Sequence, residues 1–250
     1  MVTHFIFMSS SYSLGTRIAL DYIVTDASVQ EELKNDLAKI TSTCGKDVSI
    51  STHMIQAEDE TWQSVCKADH FFKDVKVLDN LDKFIKLIQK DRTLQGIDVA
   101  KYILSKIPCT QLKLQKLVYL CFAEYLCDTD KKLFTDSIYA FKYGPVVDSV
   151  YKKYKDYGYT LIDSDSLDID SKNILEMPSK SRILFAEDGT EKIISIDRTL
   201  KKYGNLSASD LVQLTHQDNT PWSKTSKSTW ILYSPIKLET IKQYHKYELI

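Results

Sequence analysis

The chain has 250 residues, 43% apolar and 27% charged, a balance that suits a folded protein with a real core and excludes disorder as the default. Lys and Arg total 33 against 34 Asp and Glu, so a net charge of −1 sets up no overall field toward nucleic acid or an anionic membrane, although local patches stay open. The opening MVTHFIFMSSS has no basic leader and too short an apolar stretch for a secretory signal or a membrane span, so the protein is expected in the cytoplasm.

The length allows one large domain or two modest ones, and the pattern favours two. In residues 1–95, HFIFMS and ALDYIVT read as strands, and Ser28 to Ile40 reads as a helix with Val29, Leu33, Leu37 and Ile40 on one face. Ser28 and Glu31 have capping-box spacing. DVSISTHMI alternates as a strand, and after a polar stretch FFKDVKVLD leads into the amphipathic LDKFIKLIQK. Strand and helix in alternation make this a small α/β domain.

A boundary falls where KDRTLQG meets Gly96, and residues 96–250 form the second domain. Ile97 to Ile107 reads as a helix burying Ile97, Ala100, Ile103, Leu104 and Ile107; Pro108 stops it and Thr110 caps the next. That next helix, TQLKLQKLVYLCFAEYL, is apolar nearly all round in its second half and is expected at the centre of the core. After the strand-like SIYAFKY, Gly144 permits a turn and Pro145 suits a first helical position. A helix from Pro145 would bury Val146 or Val147, Val150, Tyr151 and Tyr154, with Lys152, Lys153, Lys155 and Asp156 outward and Gly158 at its end. LIDSDSLDIDSKN is an acidic connector. It lacks the glycine and glutamate of a calcium loop at the required places, so calcium is rejected. SRILFA reads as a strand before a turn at Asp188 and Gly189. The helices IISIDRTLKKYG and SASDLVQLTHQ follow, the latter with Ser207 and Asp210 at capping-box spacing, and after WILY comes a last polar helix, IKLETIKQYHKYEL. The fold class is therefore α+β, a predominantly helical domain preceded by a small α/β one.

Chemistry is hard to find. The seven glycines form no phosphate loop and no nucleophile elbow, and the five histidines show neither HExxH nor H-x-E with a cysteine pair. The five cysteines lack CxxC spacing and read as reduced thiols; Cys121 and Cys127 lie about 240° apart around one helix, which fails as a metal pair. No catalytic residue, metal or cofactor is expected. The residues of THQDNTPW could at most offer His216 and Asp218 to an enzyme, but a helix-ending His216 and a turn before Pro221 and Trp222 account for them. A helix-turn-helix across Pro108 to Thr110 fails because its second helix would expose little beyond Lys113, Lys116 and Glu124. The strip Lys152, Lys153 and Lys155, with Tyr151 and Tyr154 between, could touch phosphates, though a solvated helix face explains it as well.

Taken in order, QLKLQKLVYLCFAEYL, LFTDSIYAFKYGPVVDSVYKKYKDYG and SASDLVQLTHQDNTPWSKT resemble the Panacea domain of SocA-like and GepA-like antitoxins, over roughly Ile97 to Thr225. The resemblance implies a helical, non-enzymatic domain of a bacterial or phage toxin–antitoxin system. Its partner would be a cognate protein toxin encoded by the adjacent gene, neutralised by direct binding and occlusion of its active or substrate site. A small alarmone synthetase-like enzyme is the candidate toxin. The alternatives are an adaptor that hands the toxin to an ATP-dependent protease and a nucleic-acid-binding regulator. The motif carries over to Tyr143, Gly144, Pro145, Val146, Val150 and Tyr151, and to Leu214, Thr215, His216, Pro221 and Trp222, all assigned mainly to architecture. Toxin contacts are expected from exposed neighbours, Lys152, Tyr154, Lys155 and Tyr157. Residues 1–95 are expected to set partner choice or self-association.

Overall fold

The computed structural model describes residues 1–162, 172–228 and 233–250, with side chains at 1–162, 178–226 and 233–250. The acidic connector, with its rejected calcium loop, falls largely at 163–171, and most of WILY at 229–232; both lie outside the described residues. The chain divides into two compact units, Met1–Thr93 and Leu94–Ile250. Among the described residues no helix is long and apolar enough to cross a membrane.

In the first unit, β1 (Val2–Ser11) and β2 (Thr16–Ile23) form a central hairpin in a sheet of order β3-β1-β2-β4, with β3 at Ser51–Ala57 and β4 at Val75–Val77. β1 runs antiparallel to β2 and β3, whereas β2 and β4 are parallel. Side chains alternate across the hairpin. Phe7, Ile18 and Leu20 meet Leu33 and Ile40 of α1 (Ala27–Cys44) and Phe84, Ile85 and Ile88 of α3 (Leu81–Arg92). Ile6, Met8 and Ala19 meet Val65 of α2 (Trp62–Ala68), Phe72 and Val75. With both faces covered, the strand must be apolar at consecutive positions, which is why β1 reads as a run instead of a clean alternation.

Two expectations here need correction. Helix α1 is capped by Asp26, whose carboxylate accepts the Ser28 N–H at 2.7 Å; a carboxylate two residues upstream pre-empts the Ser28–Glu31 box. Helix α2 lies in the stretch read only as polar. Its seven residues bury just Ser64 and Val65, too few to show a period, and its signal is the cap, Thr61 accepting from Ser64 N–H at 3.3 Å.

The second unit is built around α5 (Gln111–Thr129), in which every residue from Leu114 to Ala123 is buried. Thr110 caps it as expected, accepting the Lys113 N–H at 3.3 Å. Around it stand α4 (Gly96–Lys106), α7 (Lys172–Leu184), α8 (Gly189–Tyr203), α9 (Ala208–His216), α10 (Pro221–Ser228) and α11 (Leu238–Tyr244). A small antiparallel sheet of order β6-β5-β7 joins them, with β5 at Ile138–Phe141, β6 at Gly144–Val147 and β7 at Ser234–Pro235.

SRILFA is not a strand. It closes α7 through Leu184, where Ile183 and Ala186 reach the core and buried Arg182 lies 3.4 Å from Asp98 of α4. A six-residue apolar segment carries no period that separates helix from strand. Nor does a helix begin at Pro145. Gly144 to Val147 pairs with β5 at the sheet edge, where proline's missing N–H costs no ladder bond, and buried Gln115 accepts the Val147 N–H at 3.0 Å. Helix α6 starts only at Asp148 and runs to Tyr154.

Candidate partner-binding site

Gly144 is the hinge of the β5–β6 hairpin, with φ of +103°. A Cβ there would come 2.7 Å from Lys116 Nζ and 3.1 Å from His216 Cε1, so glycine is required by both backbone and space. Lys116, expected on the surface of α5, is fully buried, and its ammonium donates to the Pro145 carbonyl at 2.9 Å. The lysine periodicity of α5 hid this, because a long stem is polar in sequence wherever its head ends up. Burial pushes its pKa down to about 7, with Glu248 pulling the other way.

The second motif element closes over the same point. His216 ends α9 with Nδ1 donating to the Val212 carbonyl at 2.6 Å and Nε2 lying 3.4 Å from the Lys142 carbonyl. Burial lowers its pKa, and the Lys116 charge works in the same direction. Both ring nitrogens face backbone carbonyls, while Asp218 stands on an exposed turn, an arrangement for holding a hairpin in place. Trp222 packs on the His216 ring at 3.8 Å and donates from Nε1 to the Phe141 carbonyl at 2.8 Å. Thr215 and Leu214 are buried, Thr220 Oγ1 donates to the Thr215 carbonyl at 2.9 Å, and Pro221 opens α10. Sequence-distant motif residues thus converge on one buried ammonium.

Helix α5 carries a second buried polar cluster that the motif does not include. The Glu248 carboxylate accepts from Tyr119 OH and from His245 Nδ1, each at 2.8 Å. Glu124 accepts from Tyr203 OH at 2.9 Å and Lys202 Nζ at 3.0 Å, and His245 Nε2 stands 3.8 Å away, an ion-pair distance. The His245 ring first, then Lys202 and Tyr203, holds Glu124 at about 2 against its burial. Burial alone would lower His245, but Glu124 and Glu248 together raise it to about 8. No spacing rule in the sequence relates residues 119, 124, 203 and 248. They meet only in the fold.

Outside this scaffold lies an aromatic face. Along β5, Ile138 and Ala140 turn to the core while Tyr139 and Phe141 turn away. Phe141 meets Tyr233 edge-on at 4.4 Å and Tyr151 at 5.3 Å. Tyr143, assigned to architecture from sequence, is 58% exposed at the hairpin tip, and Tyr233 is 60% exposed. Tyr233 also sits at φ +78°, a left-handed backbone that is strained for a bulky residue, with its N–H donating to the Ala140 carbonyl at 3.3 Å. Of the expected toxin contacts, Lys152, Lys155 and Tyr157 are exposed. Tyr154 is not: at 6% exposure it belongs to the core, since it follows buried Val150 by one helical turn. Among the described residues no cluster of His, Cys, Asp and Glu could hold a metal ion.

The model of the family described as antitoxin SocA-like, Panacea domain, matches residues 114–223. Antitoxin SocA of Caulobacter vibrioides (strain NA1000 / CB15N) is 31% identical over 142 residues, 54% of this chain and 72% of that protein. The chain belongs to the SocA-like, Panacea-domain antitoxins. No solved structure matches it significantly.

The Panacea match begins at the buried stretch of α5 and ends just after Trp222, so it contains Lys116, the hairpin and the histidine–tryptophan lid. Of the motif residues, Gly144, Pro145 and His216 gather at Lys116, with Trp222 packed on His216. Tyr233 and the His245–Glu248 pair of this antitoxin lie beyond the matched span, as does the whole first unit.

Proposed function

We propose that this antitoxin neutralises its cognate toxin by laying the aromatic face of the β5–β6–β7 sheet over the toxin's active or substrate-entry surface. The observation that carries the reading is the pairing of exposed Tyr143 and Tyr233 with a strained backbone at Tyr233, on a hairpin braced from below by buried Lys116. Tyrosine offers a broad ring and a hydroxyl at small entropic cost, and such residues dominate interface energetics. Neutralisation to trace free toxin needs nanomolar affinity, about −12 kcal/mol, and an interface of about 1,600 Å². The aromatic face forms its centre, and Lys152, Lys155 and Tyr157 belong to the rim, where charges steer encounter more than they hold. A small alarmone synthetase-like enzyme encoded next door is the candidate toxin.

Co-expression in bacteria tests this. The wild-type chain restores growth to cells making the neighbouring gene's toxin, and Tyr143→Asp with Tyr233→Asp abolishes rescue at equal protein level. Rescue by the double variant contradicts the aromatic face. Rescue that disappears in protease-deficient cells, with toxin levels restored, contradicts occlusion in favour of delivery to a protease.

A further inference from the structure

The first unit carries a groove that takes no part in the reading above. One wall is β4, the last strand of the sheet, and the other is the beginning of α3. Its volume is about 580 Å³. The floor is aliphatic, made by Leu78 and Leu87 on the α3 side of the sheet, with Val77 at its edge. The rim holds Lys76, Lys83 and Lys86 against one acid, Asp79, which already accepts from Lys83 Nζ at 2.6 Å. All three lysines are exposed, and so is Val77.

Backbone geometry gives the groove a direction. The Leu78 N–H donates inward to the Ala19 carbonyl of β2 at 2.8 Å. Alternation along a strand therefore turns the Val77 N–H and C=O outward, to the side where β4 has no neighbouring strand. A chain laid along that edge could bond to Val77 and turn alternate side chains to the α3 side of the sheet, where the aliphatic floor and the lysines lie together, the others facing the opposite side. The lining includes no aromatic ring on which a nucleobase could stack, which favours a polypeptide over a single-stranded nucleic acid. The lysine excess selects acidic side chains.

We propose that the groove between β4 and α3 binds an extended acidic segment of a partner protein, added as a strand beside β4 and held by Lys76 and Lys86 over the aliphatic floor. This binding goes beyond toxin occlusion and does not depend on the aromatic face.

Fluorescence anisotropy on the full chain tests it, with a labelled eight-residue peptide alternating glutamate and leucine as probe. The peptide binds with a Kd below about 1 mM and weakens at least tenfold between low and high salt. The same peptide with lysine for glutamate does not bind. K76E with K86E weakens binding tenfold or more, and Val77→Pro, which removes the outward N–H while leaving the inward bond of Leu78, weakens it severalfold; circular dichroism of both variants matches wild type. Y143D with Y233D binds the peptide as wild type does, which separates this site from the toxin reading. Absence of binding, equal binding of the lysine peptide, wild-type affinity in K76E with K86E, or preference for a labelled oligonucleotide would overturn the proposal.

Discussion

Lys116 and His245 are buried on the same unit and titrate in opposite senses. Lys116 falls to about 7 from its ordinary 10.5, because burial disfavours its charge. Between those two values the unfolded chain binds the extra proton, so this group makes stability rise with pH from about 7 upward. Lys116→Met removes that rise, and denaturant titrations of both proteins at pH 7 and pH 9 should show the wild type gaining stability relative to the variant at the higher pH. His245 goes from 6.5 to about 8, so its stabilisation is complete below 6.5 and is lost as pH rises through about 8. His245→Gln should therefore cost more at pH 6 than at pH 9, measured the same way. Gly144→Ala forces a side chain into a left-handed φ against the Lys116 ammonium and should destabilise by about 1–3 kcal/mol, seen as a lowered melting temperature. Sequence reading could find Gly144, because Gly-Pro after a strand marks a turn. It could not find the burial of Lys116, since a long apolar stem with a charged head is compatible with either side of a helix, whereas Tyr154 was legible on the buried stripe with Val150 and only its assignment to the toxin contacts went against the pattern.

At the scale of elements, legibility followed length and periodicity. Helix α5 was readable because its apolar residues run all round, and α9 because Ser207 and Asp210 exchange capping bonds at 3.0 and 3.1 Å. Ser207→Ala should cost about 1 kcal/mol of unfolding free energy in denaturant titration while leaving toxin affinity unchanged, since exposed Ser207 lies at the end of α9 opposite His216. Shorter pieces were ambiguous. Pro145 fits a first helical turn and an edge strand equally well, and only Gln115 of α5, gripping Val147, decides for the strand. SRILFA, too short to show a period, packs as the end of a helix through Ile183, Ala186 and the Arg182–Asp98 pair. The candidate site suffered the same way: β5, β6 and the residue leading into β7 create the aromatic face only when Tyr233 is brought beside Phe141 from ninety-odd positions away.

On the scale of the whole chain, chemistry and architecture are arranged as an antitoxin needs. The family match covers 114–223, wholly within the second unit, and the first unit builds two separate cores on the two faces of its own sheet. Each unit thus has its own source of stability, and the polar groups inside the second are spent on holding the hairpin and the His245–Glu248 segment to α5. The surface proposed to meet a toxin is aromatic and lies on the hairpin that Lys116 holds. Hydrogen–deuterium exchange of the full chain with and without its purified toxin addresses that directly. Protection should concentrate in β5, β6 and β7 and at Tyr143 and Tyr233. Unchanged exchange across that sheet in a saturated complex, with protection elsewhere, would contradict the account.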